Sequence, residues 1–201
     1  MIYETAIVVG ADLDDSQVGK IKTNIADCLK EFNCEVLVND DWGVKKFAQQ
    51  TSKRVSHGRY IYMMYQTDSL DVNNELERRY RISEGVLKFI VVKLGADRFK
   101  DTIVKGYKNP NHGQDDSVSR FDAEKEKKGF SKRKSCYFSA KSTQPDWKDP
   151  STYSWLVNEF GKISPARMTG LRPKYQRMAT TAIKRGRCMG LISHMSGRTL
   201  R

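Results

Sequence analysis

The first half of the chain alternates short apolar runs with periodic apolar stripes. Four runs rich in β-branched and aromatic residues predict strands, at 2–9, 34–48, 57–65 and 86–93. Apolar residues spaced three and four apart predict helices that follow Leu13 and Leu70. The order β-α-β-β-α-β predicts an α+β domain over residues 1–95 with the ferredoxin-like fold, in which both helices cover one face of a four-stranded sheet. The polar residues Asn39 to Asp41 predict a bend or bulge in the second strand.

The last third of the chain has helical periodicity instead. Asp149 and Pro150 form a helix start signal, and an apolar stripe follows from Tyr153 to Phe160. A longer helix is predicted from Pro173 to about Leu191, although Gly186 and Gly190 disfavour its last turn. Residues 132–201 are therefore predicted to be a small, all-helical module.

Residues 96–131 are polar and lack periodicity, which predicts a flexible linker between the two domains. A coil of this length has a root-mean-square span of roughly 30–35 Å, so it would let the flanking domains dock within one chain. Tyr107 and Phe121 are candidate anchor points in this stretch, although isolated aromatic residues in linkers usually have no such role.

Tyr60, Tyr62 and Met64 alternate onto one face of the third strand, and two interpretations of that face are open. Strand aromatics stack on bases in RNA-recognition domains. Tyrosine is also a good strand former that packs in cores and at protein interfaces. The second interpretation is favoured, since the first strand offers only Tyr3 as a companion aromatic residue.

Charge is distributed unevenly and indicates the partner. The formal net charge is +12, and residues 130–201 carry all of this excess, with 15 Lys+Arg against 3 Asp+Glu. Such a block attracts a polyanion because each neutralised phosphate releases condensed counterions. Nucleic acid fits better than an anionic membrane surface, which would select a Lys-rich helix with an apolar Leu or Trp face.

Several short segments of the first domain resemble bacterial small-subunit ribosomal protein six, over about residues 2–94. They are Tyr3-Glu4, the helix after Leu13-Asp14, Trp42 to Ala48, Gly58-Arg59-Tyr60 and Phe89 to Lys93. This resemblance implies the same β-α-β-β-α-β fold. Gln49-Gln50 departs from the Tyr-Pro turn that members of the family carry after the alanine matching Ala48.

The basic module resembles small-subunit ribosomal protein eighteen more specifically, over about residues 132–192. The matching segments are Arg133 to Phe138, Asp146 to Asp149, Gly161 to Arg167, Thr169-Gly170, Lys174 to Arg177 and Ala182 to Arg185. The resemblance implies a helical protein that binds small-subunit ribosomal RNA and pairs directly with protein six. One chain that carries both would be an intramolecular version of that heterodimer.

The predicted function is that of a structural constituent of the small ribosomal subunit that supports translation. Its expected partners are small-subunit ribosomal RNA and neighbouring small-subunit ribosomal proteins. The candidate RNA-binding residues are Lys132, Arg133, Lys134, Arg167, Arg172, Lys174, Arg177, Lys184 and Arg185, with Lys88 and Lys93 on the fourth strand. The alternative is a non-ribosomal RNA-binding protein with an RNA-recognition-like sheet and a basic tail.

No catalytic constellation appears, so the chain is not predicted to be an enzyme and no cofactor is expected. The three histidines lie at no catalytic spacing, and the sequence contains no P-loop or nucleophile elbow. Cys136, Cys188 and His194 would give only three zinc ligands without paired knuckles, so no metal is predicted. No secretory signal, transit peptide or apolar run of membrane-spanning length is apparent. A ribosome of the cytoplasm is expected, with an organelle ribosome left open.

Overall fold

The computed structural model describes residues 1–51, 54–110 and 135–195, and these residues form parts of two compact units. The sheet unit comprises residues 1–109 together with 187–192. The helical unit comprises residues 110–186 together with 193–201.

The sheet unit contains the predicted ferredoxin-like domain. Its elements are β1 (Ile2–Gly10), α1 (Asp15–Glu31), β2 (Glu35–Lys46), β3 (His57–Gln66), α2 (Asp71–Ile82) and β4 (Val86–Gly95). The strands form one antiparallel sheet in the order β2-β3-β1-β4, with β1 pairing both β3 and β4. The predicted fold class is confirmed.

The core of this unit lies between the two helices and one face of the sheet. Helix α1 contributes Val18, Ile25, Cys28 and Leu29 at helical spacing, and α2 contributes Val72, Leu76 and Tyr80. Alternate residues of each strand meet them, so Ile61, Met63 and Tyr65 point into this core. Tyr60, Tyr62 and Met64 consequently lie on the opposite face, which we call the open face.

The predicted irregularity in β2 is present. The pairing of β2 with β3 shifts register between Val36 and Val38, and again between Asp41 and Gly43, where Gly43 has a φ of 68°. The Asp41 carboxylate stabilises the second bulge by accepting hydrogen bonds from Lys22 Nζ at 2.8 Å and from Gly43 N at 3.0 Å. Burial alone would raise the pKa of Asp41, but hydrogen bonds from Lys22 and Arg59 outweigh it and lower that pKa.

Helices α1 and α2 are joined by Arg79. Its guanidinium donates to Glu75 Oε1 at 2.8 Å within α2 and also to the carboxylate of Glu31 on α1. Arg78 donates to the same Glu75 carboxylate at 2.7 Å. Hydrogen bonds from Arg78 and Arg79 lower the pKa of Glu75 from 4.5 to about 2.

Part of the predicted linker is ordered against the sheet. Residues 97–99 form a 3₁₀ turn that leads into α3 (Lys100–Gly106), and residues up to 109 belong to the sheet unit. Phe121 and the rest of the predicted linker, residues 111–131, lie outside the described residues. The boundary at residue 95 stays a prediction.

The helical unit contains α4 (Tyr137–Ala140), α5 (Ala166–Thr169) and all but the last two residues of α6 (Pro173–Cys188). The helix predicted from Pro150 to Phe160 is wrong. Two 3₁₀ turns, Pro150–Thr152 and Ser154–Leu156, occupy its first part, and Val157 then pairs with Ile163 in an isolated β-bridge. Tyr153 and Leu156 are buried as the stripe required, but Phe160 is exposed on the turn that the bridge closes.

The predicted weakness of the last helical turn is found at Gly190 and not at Gly186. Helix α6 continues through Gly186 to Cys188, and Gly186 is buried. A Cβ at this position would lie 2.2 Å from the hydroxyl oxygen of Tyr153, so glycine allows the helix to approach that ring. Gly190 lies beyond the helix, where its φ of 75° favours glycine.

Candidate RNA-binding surface

Helix α6 separates apolar and cationic residues onto two faces. Ala179, Ala182, Ile183 and Gly186 are buried within it. At 100° per residue, the predicted cations form a stripe on the opposite side, and these are Lys174, Arg177, Lys184 and Arg185. The first three are exposed and Arg185 is half-buried. The stripe is about 17 Å long, from a rise of 1.5 Å per residue.

Two further predicted cations precede this helix. Arg167 is exposed on α5, which ends at Gly170 with a φ of 75°. Arg172 is exposed immediately before Pro173, and its carbonyl accepts from Gln176 N at 3.0 Å, which begins the helical hydrogen-bond ladder. Gln176 Nε2 in turn donates to Ser164 O at 3.0 Å, which joins the helix to the preceding loop.

Cys136 helps to position Arg172, because its Sγ accepts from Arg172 N at 3.4 Å. Burial raises the pKa of this thiol. Hydrogen bonds from the Arg172 backbone, from Ser139 and from the Phe138 backbone lower the pKa by more, so it is below its ordinary value. Hydrogen bonding to the thiol is therefore the cause of its lowered pKa.

The predicted cations of α5 and α6 have no ion-pair partner among the described residues, and these are Arg167, Lys174, Arg177, Lys184 and Arg185. The sequence explains this, since no Asp or Glu occurs between Gly161 and Arg201. By contrast, Arg59 and Arg79 in the sheet unit each contact two acidic residues. The positive charge along α6 is therefore available to a phosphate backbone.

Five of the predicted RNA-binding residues lie neither in this stripe nor among the two cations that precede it. Lys132, Arg133 and Lys134 lie outside the described residues. Lys88 and Lys93 lie on β4 of the sheet unit, where they are on opposite faces of the strand because they are five residues apart. Lys88 is half-buried on the open face and Lys93 is exposed, so the two do not form one surface.

The aromatic residues of the open face are covered by other residues of the sheet unit. The ring of Trp42 stacks at 5.3 Å from Tyr62 and 6.2 Å from Tyr60, and Phe47 meets Tyr60 edge-on. Both tyrosines are fully buried. Tyr62 Oη donates to Glu4 Oε2 at 2.8 Å, and burial raises the pKa of Tyr60 above its ordinary value. Base stacking on this face is therefore not favoured.

Tyr107 adds a further layer to the open face. Its ring lies parallel to that of Tyr62 at 4.7 Å. Its hydroxyl donates to Asp40 Oδ2 at 2.7 Å and accepts from Trp42 Nε1 at 2.9 Å, and Asn109 Nδ2 donates to the same Asp40 oxygen at 2.7 Å. The sequence suggested an anchoring role for Tyr107, but it did not indicate the residues that Tyr107 contacts.

The segment after α6 also contacts the open face, and sequence analysis missed these contacts. Tyr60 Oη donates to Met189 O at 2.7 Å, and Ala48 N donates to Gly190 O at 2.8 Å. Both hydrogen bonds are accepted by backbone carbonyls of this segment. Gly190 was the one feature of the sequence that could have indicated these contacts, because glycine allows the chain to turn away from the helix.

Among residues 1–51, 54–110 and 135–195, no group of three His, Cys, Asp or Glu side chains could hold a metal ion. No helix within those ranges combines the length and the apolar character needed to cross a membrane.

Comparison with protein families finds two matches in separate parts of the chain. Residues 2–93 match Ribosomal protein S6, and residues 141–192 match Ribosomal protein S18. Small ribosomal subunit protein bS18 from Staphylococcus aureus, strains JH9 and Newman, is 47% identical over 68 residues, which cover 33% of this chain and 85% of each relative. A crystal structure of 30S ribosomal protein S6 from Thermotoga maritima covers 52% of this chain and 96% of that one, at 17% identity and a TM-score of 0.46.

These matches define the class as structural proteins of the small ribosomal subunit that bind ribosomal RNA. The chain belongs to the Ribosomal protein S18 family through residues 141–192, and its residues 2–93 match the model of the Ribosomal protein S6 family. Both resemblances read from the sequence are confirmed. The alternative of a non-ribosomal RNA-binding protein is not favoured.

Proposed function

We propose that this chain acts in the cytoplasmic ribosome as a tethered pair, in which the S6-like and S18-like parts dock within one molecule. In this arrangement the cationic stripe of α6 contacts the phosphates of small-subunit ribosomal RNA. The sheet unit supports that contact and binds neighbouring small-subunit proteins. The role is structural and involves no catalytic step.

The RNA contact is supported by the stripe of unpaired cations. Lys174, Arg177 and Lys184 are exposed on one side of a helix whose other side is buried, so their positions are fixed while their charges face solvent. A helix that presents cations at fixed spacing suits phosphate contact, which positions a protein on RNA without reading its sequence. Arg167 and Arg172 extend the charge before the helix begins.

The pairing within one chain is supported by residues 187–192. They lie inside the stretch that matches Ribosomal protein S18, yet they cluster with the sheet unit. The hydrogen bonds from Tyr60 to Met189 and from Ala48 to Gly190 attach them to β3 and to the end of β2. Because covalent connection raises the effective concentration of the two parts, the pair would form without a separate binding partner.

The experiment measures binding of the full chain to a small-subunit ribosomal RNA transcript over a range of salt concentrations. Lys174→Gln, Arg177→Gln and Lys184→Gln should each weaken binding and reduce the slope of log K against log salt by about 1. The matched control is Arg81→Gln, which removes an exposed helical cation that is paired with Glu77 at 3.2 Å.

The proposal fails if the three α6 variants keep the affinity and salt slope of the unmodified chain. It also fails if Arg81→Gln weakens binding as much as they do, because the effect would then reflect net charge alone. Sedimentation of the native protein with small ribosomal subunits tests the same proposal in the assembled particle.

A further inference from the structure

The helical unit presents one tryptophan to solvent. Trp155 is 44% exposed, whereas Trp42 and Trp147 are 1% and 3% exposed. An indole left this accessible in a unit with a buried aromatic core calls for an explanation, since apolar side chains of this size are highly buried on average. Its surroundings indicate a ligand.

The Trp155 ring is held in place on its inner side. It lies 5.1 Å from the ring of Tyr137 and 6.0 Å from that of Phe138, between ring centroids. Phe138 is buried and stacks at 5.7 Å on Tyr175 of helix α6. The exposed indole is thus continuous with the aromatic core that supports the cationic helix.

Hydrogen bonding fixes the orientation of the same ring. Trp155 Nε1 donates to Thr152 O at 3.2 Å, so the indole N–H needs no external acceptor. The adjoining Tyr153 and Leu156 are fully buried, which fixes the backbone of this 3₁₀ turn. A ring positioned in this way loses little conformational entropy when a planar ligand stacks on it.

Positive charge accompanies the aromatic pair. Lys141 Nζ lies 4.9 Å from the centroid of the Tyr137 ring. A π-face beside a cation fits an anionic chain whose planar groups can be splayed out, and single-stranded RNA has both features.

We propose that Trp155 is a stacking platform for one unpaired base of small-subunit ribosomal RNA, with Lys141 contacting an adjoining phosphate. This site deepens the RNA contact proposed for helix α6 and rests on it. It adds recognition of a single-stranded nucleotide to a surface that otherwise contacts only the phosphate backbone. The other possible occupant, an apolar patch of a neighbouring protein, is an outcome that the test distinguishes.

The test uses the full chain and the same ribosomal RNA transcript, with Trp155→Ala, Trp155→Phe and Trp155→Leu. Base stacking predicts that Trp155→Ala weakens binding by about 5- to 150-fold, corresponding to 1–3 kcal/mol per stacked base. Trp155→Phe should keep most of the affinity, and Trp155→Leu should lose it, because leucine retains apolar bulk without a π-face. The matched control is Leu70→Ala, which truncates an exposed apolar residue of the sheet unit.

Two readouts separate this proposal from the one on which it rests. Trp155→Ala should leave the salt slope unchanged because it removes no charge, and RNA should quench the fluorescence of the unmodified chain more than that of Trp155→Phe. Unchanged affinity in Trp155→Ala, or equal affinity in the leucine and phenylalanine variants, overturns base stacking while RNA binding by α6 stands. Absence of RNA binding by the unmodified chain overturns both. The phenylalanine and leucine variants keep the comparison valid if the alanine variant unfolds.

Discussion

The ring of Tyr107 lies parallel to that of Tyr62, 4.7 Å away and inclined by 8°. Residue 107 falls between the stretches that match the two ribosomal families, which end at 93 and begin at 141. The chain therefore covers part of the open face of its sheet with a segment that neither family match includes.

Removal of the Tyr107 side chain should destabilise the sheet unit. We expect Tyr107→Ala to lower the free energy of unfolding by about 2–4 kcal/mol, since it removes an aromatic pair and uncovers Tyr62. Tyr107→Phe should cost about 1–2 kcal/mol, because it keeps the ring but removes the hydrogen bonds with Asp40 and Trp42. Urea unfolding followed by circular dichroism measures both. Equal stability of the phenylalanine variant and the unmodified chain would show that the hydroxyl contributes nothing.

Replacement of Gly186 by alanine should lower stability, whereas the same replacement at an ordinary helical glycine raises it. The new Cβ would lie 2.2 Å from Tyr153 Oη, so we expect Gly186→Ala to destabilise the helical unit. Gly19→Ala in α1 is the matched control, because nothing lies within 4 Å of its Cβ position, and it should stabilise the chain by up to about 1 kcal/mol. Thermal unfolding of the two variants measures the difference.

The same clash can be relieved by a second substitution. Tyr153→Phe removes the oxygen that a Cβ at position 186 would meet, together with its 3.0 Å hydrogen bond to Trp147 O. Gly186→Ala should therefore cost less in the Tyr153→Phe background than in the unmodified chain. Identical costs in the two backgrounds would contradict this close approach as the reason for glycine.

Acid should weaken the ion pairs of Glu75 with Arg78 and Arg79, the residue that joins α2 to α1. The pKa of Glu75 is about 2 in the folded chain against an ordinary value of 4.5, so its contribution to stability is present above pH 4.5 and is lost as the pH falls towards 2. The stability difference between the unmodified chain and Glu75→Gln should shrink over that interval. Glu77→Gln, at a more exposed ion pair, is the control for nonspecific acid effects. If the stability difference between the unmodified chain and Glu75→Gln stays constant from pH 5 to pH 2, the ion pairs of Glu75 do not cause the acid sensitivity.

The open face should contribute to stability and not to direct RNA contact. Tyr62→Phe removes the donor to the buried carboxylate of Glu4, and we expect a loss of about 1–3 kcal/mol in unfolding free energy. Its affinity for ribosomal RNA, measured under conditions where the variant is folded, should equal that of the unmodified chain. A stable Tyr62→Ala variant with RNA affinity reduced by about 1–3 kcal/mol would instead support base stacking on the sheet.

Hydrophobic periodicity was sufficient to predict the ferredoxin-like order of elements, because a residue's face in a strand or helix follows from its position in the repeat. The same reasoning separated the buried and cationic sides of α6. It failed between Pro150 and Phe160. An α-helix and two successive 3₁₀ turns would both bury Tyr153 and Leu156, so the apolar spacing does not distinguish them. The bridge between Val157 and Ile163 ends the helical path, and periodicity carries no information about such pairing.

The sequence by itself thus determined the families, the fold of the sheet unit and the cationic side of α6, all of which depend on local spacing and composition. Only the tertiary structure decided that Tyr107 covers Tyr62, that Gly186 admits the hydroxyl of Tyr153, and that carbonyls of Met189 and Gly190 accept hydrogen bonds from Tyr60 and Ala48. Each of these contacts joins residues more than thirty positions apart in the sequence. Which of many distant partners a side chain meets depends on how the elements pack, and the local pattern does not contain that information.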